Sequence, residues 1–348
     1  MAEKSGRTAY WTALACLALA GCGSLTPRVP TVELPAVTDA PPPADAESSS
    51  PSESASQPGP SLEGCALFPA NNIWNRRVDD LPVQARSDQW IDSIGRETGL
   101  HMDFGSGDWD GGPIGIPFNV ISPTDAEKYS IDFYYGDESD AGPYPLPPDP
   151  AIEWGGDHHM LVIDRDECKL YEIYDAAFSD GSWSGGSGAI WDLNSNALRP
   201  AEWTSADAAG LPILPGLVRY DEILQGEIKH ALRFTAAATD GYIWPARHLT
   251  SGDAEVLTPV PPMGARFRLK AAFDVSGFPP DMQVLLQALK TYGMLLADNG
   301  SDWYISGAPD ERWDNDILHL LGVVTGSDFE AVDTSGLIVD IDSAESAP

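Results

Sequence analysis

From Pro117 onward the chain is written in short apolar runs, rich in β-branched and aromatic residues, each broken after a few positions by Gly, Pro, Asp or Asn. Runs too short for a stable helix must satisfy their backbone groups by pairing sideways, so the pattern confines the chain to β-sheet. Residues 158–163 and 168–174, joined by a turn at 164–167, predict a hairpin. Further strands are expected at 117–121, 131–135, 231–236, 265–270, 303–305 and 337–341. In 265–270 the alternation is strict, with Ala265, Phe267 and Leu269 on one face and Arg266, Arg268 and Lys270 on the other. Helical spacing occurs at 88–97, 280–296 and 310–321. The expected fold is mainly β, a β-sandwich or jelly-roll-like body with a few peripheral helices.

The N-terminal residues lie outside that pattern. Lys4 and Arg7 precede an apolar run from Ala9 to Ala20, too short to span a bilayer, which needs about 20 residues. Leu19-Ala20-Gly21-Cys22 then resembles the lipobox of bacterial lipoprotein signals, which implies a signal peptide over 1–21 and a lipidated Cys22. On that reading the protein is exported to the bacterial cell envelope and held at the membrane by its lipid, with a periplasmic or extracellular body. Residues 22–64 hold many Pro, Ser and Ala and no aromatic residue, so they cannot bury enough apolar surface to offset ordering, and a disordered tether is expected. A single β-rich domain is expected over 65–342, with a disordered tail at 343–348.

The 348 residues include 53 acidic and 20 basic ones, a formal charge of −33. Such a polyanion repels phosphate backbones, which excludes nucleic acid as a partner, and it suits neutral or cationic partners or calcium. A monomer is expected. With Cys22 taken by lipid, Cys65 and Cys168 remain as a pair in an oxidising compartment and are expected to form a disulfide.

No nucleophile elbow, HExxH, P-loop or dinucleotide fingerprint occurs. The chemistry must come from looser groupings. His159, His230 and His248 lie in strand or strand-end contexts; if they converge they could bind a metal, whose identity the sequence leaves unknown, or act as base and stabiliser. Asp103, Asp157, Asp298 and Asp302 adjoin Gly, His, Asn or aromatic residues and are candidate catalytic carboxyls. Asp108-Trp109-Asp110-Gly111 has the look of half a calcium loop. Flat aromatic faces beside Asn and Arg suit sugar rings, which nominates Asn72, Trp74, Trp244, Arg247, Trp303 and Tyr304 for substrate binding. The Gly-rich stretch 181–188 reads as a loop able to cover a site.

Four motifs stand out in the body: Phe68-Pro69-Ala70-Asn71-Asn72-Ile73-Trp74-Asn75, His230-Ala231-Leu232-Arg233-Phe234, Trp244-Pro245-Ala246-Arg247 and Ala297-Asp298-Asn299-Gly300. Through them, from Cys65 to about Asp333, the chain resembles a family of secreted bacterial proteins. The resemblance implies a coherent secreted domain and carries over no catalytic residue. Taken together, the features lead to the expectation of an exported protein acting on polysaccharide, as a hydrolase in preference to a lyase, whose uronate-holding site would be basic. The alternatives are a glycan-binding envelope lipoprotein without catalysis and a structural lipoprotein with calcium-stabilised loops.

Overall fold

Two mixed sheets carry the architecture. In the computed structural model, which describes residues 59–250 and 259–348, ten strands build them: β1 His101–Asp103, β2 Phe118–Ile121, β3 Met160–Asp164, β4 Lys169–Tyr174, β5 Ser187–Asp192, β6 Leu232–Ala236, β7 Arg266–Leu269, β8 Met294–Asn299, β9 Tyr304–Ser306 and β10 Phe329–Val332. The four-stranded sheet runs β5-β4-β3-β2 and the six-stranded sheet β10-β7-β8-β6-β9-β1. Parallel pairing joins β2 to β3, β6 to β8 and β1 to β9, and the other neighbours are antiparallel. The expected mainly β, sandwich-like fold is what forms; its mixed sheets differ from the antiparallel ones of a jelly roll.

The central strands are apolar on both faces, and each face enters a different core. On β3, Leu161 and Ile163 point between the sheets, while Met160 and Val162 point to the outer side of the smaller sheet. On β8, Leu295 and Ala297 point between the sheets, while Met294 and Leu296 face the helical side. Each fully buried aliphatic side chain contributes about 1.5–3 kcal/mol, and a slip of one residue would exchange every face. Register is therefore held by burial on both sides.

Helices cover the outer face of the larger sheet: α1 Ser87–Ile94, α2 Tyr220–Gln225, α3 Pro280–Thr291 and α4 Asn315–His319. Leu285, Leu286 and Leu289 of α3 pack there with Phe267 and Leu296. The helix expected to reach residue 296 ends earlier because Gly293 adopts φ 64°, and a Cβ there would collide with the Phe267 carbonyl. Residues beyond it become the central strand β8.

The alternation in 265–270 holds, but its arginine face is also buried. Segment 73–81 crosses over it, and Arg266 and Arg268 donate to the carbonyls of Ile73, Arg76, Tyr292, Val78 and Leu81. The predicted hairpin forms as β3 and β4 in antiparallel register. Cys65 and Cys168 are bonded, with Cα atoms 5.4 Å apart, which ties the segment around Cys65 to the β3–β4 hairpin.

Several boundaries shift. A strand forms inside the expected tether, where Ser61–Leu62 pairs with Cys65–Ala66. The expected tail at 343–348 is packed, since Ala344 and Ser346 are buried and Ile73 N–H donates to the Ala344 carbonyl. Residues 337–341 do not form a strand, because Ile338 finds only one isolated bridge, to Ser346. The stretch 181–188 is mostly paired, in Ser182–Gly185 and β5, so it is no free flap. The lipidation at Cys22, the signal peptide and the tether up to residue 58 lie outside the described residues.

Candidate functional site

Arg233 organises the site. On β6, Leu232 and Phe234 take the helical side, which turns the intervening arginine into the space between the sheets. The residue is 4% exposed there, so its charge demands a partner. Asp207, fully buried in the 204–211 loop, supplies one: Nε and Nη2 each donate to a carboxylate oxygen at 2.7 Å, the bidentate geometry natural to arginine. Nη1 donates to Ser306 Oγ at 2.6 Å.

A second carboxyl reaches the same guanidinium because of a bulge. β6 pairs with β8 in register through Phe234 and Leu296, then the register skips Ala297, so Thr235 faces Asp298. Strict alternation would send Asp298 toward the helices with Met294 and Leu296. The extra residue re-aims it to Arg233's side, where Oδ2 accepts from Nη2 at 3.2 Å. Two carboxyls thus share one cation. Burial first, and then the charge of Asp207 beside it, push the Asp298 carboxyl up to about 7, against the pull of Arg233. Near neutrality Asp298 holds a transferable proton.

Asp298 and Asp207 line a cleft of about 540 Å³, together with Asp157, Glu138, His248, Tyr135 and Tyr174. That size suits one or two sugar units or a comparable small ligand. Asp157 is exposed in the cleft, and no side-chain hydrogen bond or ion pair joins it to another described residue. Burial and then the charges of Asp157, Asp175 and Asp298 raise the Tyr174 phenol, so the phenol lies within electrostatic reach of all three. His248 donates from Nδ1 to the Ala208 carbonyl at 2.8 Å, which leaves Nε2 facing Glu138 Oε2 at 3.7 Å.

His159 stands behind this wall. Its Nδ1 lies 2.5 Å from Glu153 Oε2 and its Nε2 donates to the Ala206 carbonyl at 3.1 Å. Burial opposes its charge, but the Glu153 contact outweighs that and raises the imidazole to about 9. It is a fixed cation bracing the cleft.

Of the seven proposed catalytic residues, Asp157, His248 and Asp298 therefore meet in one cleft, and His159 lies one carbonyl behind it. His230 does not join them. It is fully buried, bonded through Nε2 to both Glu222 oxygens at 3.1 and 3.2 Å and through Nδ1 to the Ala231 carbonyl. The three histidines spend their nitrogens on separate partners, and among the described residues no cluster of His, Cys, Asp and Glu is placed to hold a metal ion. Asp302 is occupied in accepting the Ala237 N–H. Asp103 lines a separate cleft of about 210 Å³ with Glu153, Trp109 and Trp154.

The proposed sugar platforms are corrected. Trp74, Trp244 and Trp303 are at most 5% exposed and fill the cores, where the indole N–H of Trp303 donates to Gly95 O and that of Trp244 to Ser343 O. Arg247 is buried, clamping the carbonyls of Arg199 and Ile341. Asn72 caps the turn at Ile73–Asn75. Tyr304 stacks on His101, with centroids 4.0 Å apart, away from the main cleft. Asp207, Arg233, Glu138 and Tyr174 were not singled out from sequence. The available signal was a charged residue between Leu232 and Phe234 in a central strand, which requires a buried counter-charge such as the lone acid of the apolar 206–217 stretch.

Comparison of the chain with protein-family models, with curated proteins and with solved structures gave no match.

Proposed function

We propose that the protein is an exported, lipid-anchored glycoside hydrolase acting on extracellular or cell-envelope polysaccharide, with Asp298 as general acid and Asp157 as the second carboxyl. The observation that carries this reading is the pair of unlike carboxyls in one polar cleft: Asp298 keeps its proton against the Asp207–Arg233 pair, while Asp157 stands open to solvent. Glycosidic cleavage needs such a pair. Asp298 gives its proton to the departing oxygen as the bond to the anomeric carbon breaks, and Asp157 acts on the opposite face, accepting a proton from water or attacking the carbon directly. Tyr135, Tyr174 and Thr204 line the same cleft and can bond sugar hydroxyls. The crowding of acids disfavours uronate polymers, and with them a lyase.

The test is a panel of neutral and amino-sugar polysaccharides assayed for new reducing ends and for unsaturated uronates. Hydrolysis that falls at least a hundredfold in both Asp298→Asn and Asp157→Asn supports the reading. Retention on a glycan column with no cleavage of any polymer replaces it with a binding lipoprotein. Activity untouched by Asp298→Asn removes the cleft from the mechanism.

A further inference from the structure

Among the described residues two tryptophans are left exposed on the surface, and they stand at one cleft. Trp109 is 76% exposed and Trp154 55%, although buried indoles fill the cores elsewhere. Both line the smaller cleft with Asp103, Asp110 and Glu153. Their exposure is built. Trp109 lies on a two-residue strand, Asp108–Trp109, paired with Gly112–Pro113 through the turn Asp110–Gly111, where Gly111 adopts φ 108°. The Trp154 indole rests on that hairpin: a Cβ on Gly112 would overlap its ring, and one on Gly111 would come within 3.2 Å of it. Glycine at both positions lets the indole lie against the backbone on one side, which supports it and leaves the rest of the ring to the cleft.

The short segment Glu153-Trp154-Gly155-Gly156-Asp157 belongs to both clefts. Glu153, Trp154 and Gly155 line the tryptophan cleft, and Asp157 lines the reactive one. Glu153 also bonds His159, whose other nitrogen reaches the Ala206 carbonyl in the wall of the reactive cleft. The two clefts therefore share a wall.

The geometry points to a sugar-stacking subsite at Trp109 and Trp154, adjoining the reactive cleft, so that together they form a groove for several units of a polymer. This inference rests on the carbohydrate reading above. A pyranose ring offers C–H groups to an indole face while its hydroxyls donate to carboxylates such as Asp103 and Asp110. A subsite beside the cleavage point favours cutting within chains over trimming their ends.

Intrinsic fluorescence of the purified protein reads the subsite directly, because an exposed indole responds when a sugar covers it. The titrants are the hexasaccharides of β-linked glucose, xylose and N-acetylglucosamine, with choline as a cationic control. The expected result is a saturable response to at least one hexasaccharide whose midpoint weakens about tenfold, ~1.4 kcal/mol, in Trp154→Ala. Trp154→Tyr, which keeps a stacking face, should recover most of it. Asp298→Asn should keep the response, which separates failure of the subsite from failure of the chemistry. Trp109→Ala, on an exposed hairpin, should weaken binding without lowering the melting temperature. A response to none of the hexasaccharides, one indifferent to both tryptophans, or one to choline alone overturns the inference.

Discussion

Asp298→Asn should change how stability depends on pH. In the folded protein the carboxyl is raised from an ordinary 3.8 to about 7, so the fold binds that proton more tightly than the unfolded chain does. The stabilisation is fully present below pH 4 and is lost as pH rises through about 7. Three pH units at about 1.36 kcal/mol each set a ceiling of about 4 kcal/mol. Asp298 is partly exposed, with 20% of its side-chain surface open, so solvent should reduce this to about 2 kcal/mol. For a domain of this size that is roughly 4–8 °C in melting temperature. The assay is thermal unfolding of wild type and Asp298→Asn from pH 4 to pH 8.5. Groups remote from Asp298 titrate alike in both proteins and cancel in the difference. The variant should gain on wild type by that amount between about pH 4 and 7, with half of the gain reached at about pH 5.5 and a plateau above about 7. A difference that stays flat across the range, or that grows toward acid pH, would refute the shared-cation account of the site.

Other consequences follow from the same contacts. Arg233→Met strands the fully buried Asp207 and should cost about 3–5 kcal/mol, whereas the double variant Arg233→Met/Asp207→Leu should recover much of that in equilibrium denaturation. Cys65→Ser removes a bond that spans 103 residues of sequence and should cost about 4 kcal/mol, an effect that reductant should reproduce in wild type and leave absent in the variant. Glu153→Gln removes the partner that raises His159, so the imidazole, charged up to about pH 9 in wild type, should become neutral at pH 7 when its titration is followed by NMR. Cys22→Ala should abolish incorporation of labelled palmitate and release the protein from the membrane fraction, and release without any loss of label would sink the lipobox reading.

Much of the framework was legible along the chain because its causes are local. Alternation placed β7, and short apolar runs joined by a turn placed the β3–β4 hairpin. The disulfide followed from a count of cysteines and the expectation of export to an oxidising compartment. Asp157 and Asp298 were found as candidates from their neighbours and His248 from its strand-end context, and they do share a cleft. The tryptophans misled, since Trp74 and Trp303 sit beside polar residues in sequence and fill cores in space. Polar neighbours along a strand or turn say little about what lies across it.

What the amino-acid sequence determined by itself was the kind of elements, their approximate bounds and the covalent link between Cys65 and Cys168, because each depends on period, turn chemistry or cysteine count. Only the tertiary structure decided which acid keeps its proton. Ala297 looks like any strand residue, yet its bulge turns Asp298 from the helical core toward Arg233, where Asp207 already waits. The carboxyl's proton depends on that meeting of β6, β8 and the 204–211 loop, elements far apart in the chain, and Coulomb interactions and desolvation act only between groups that folding has brought together.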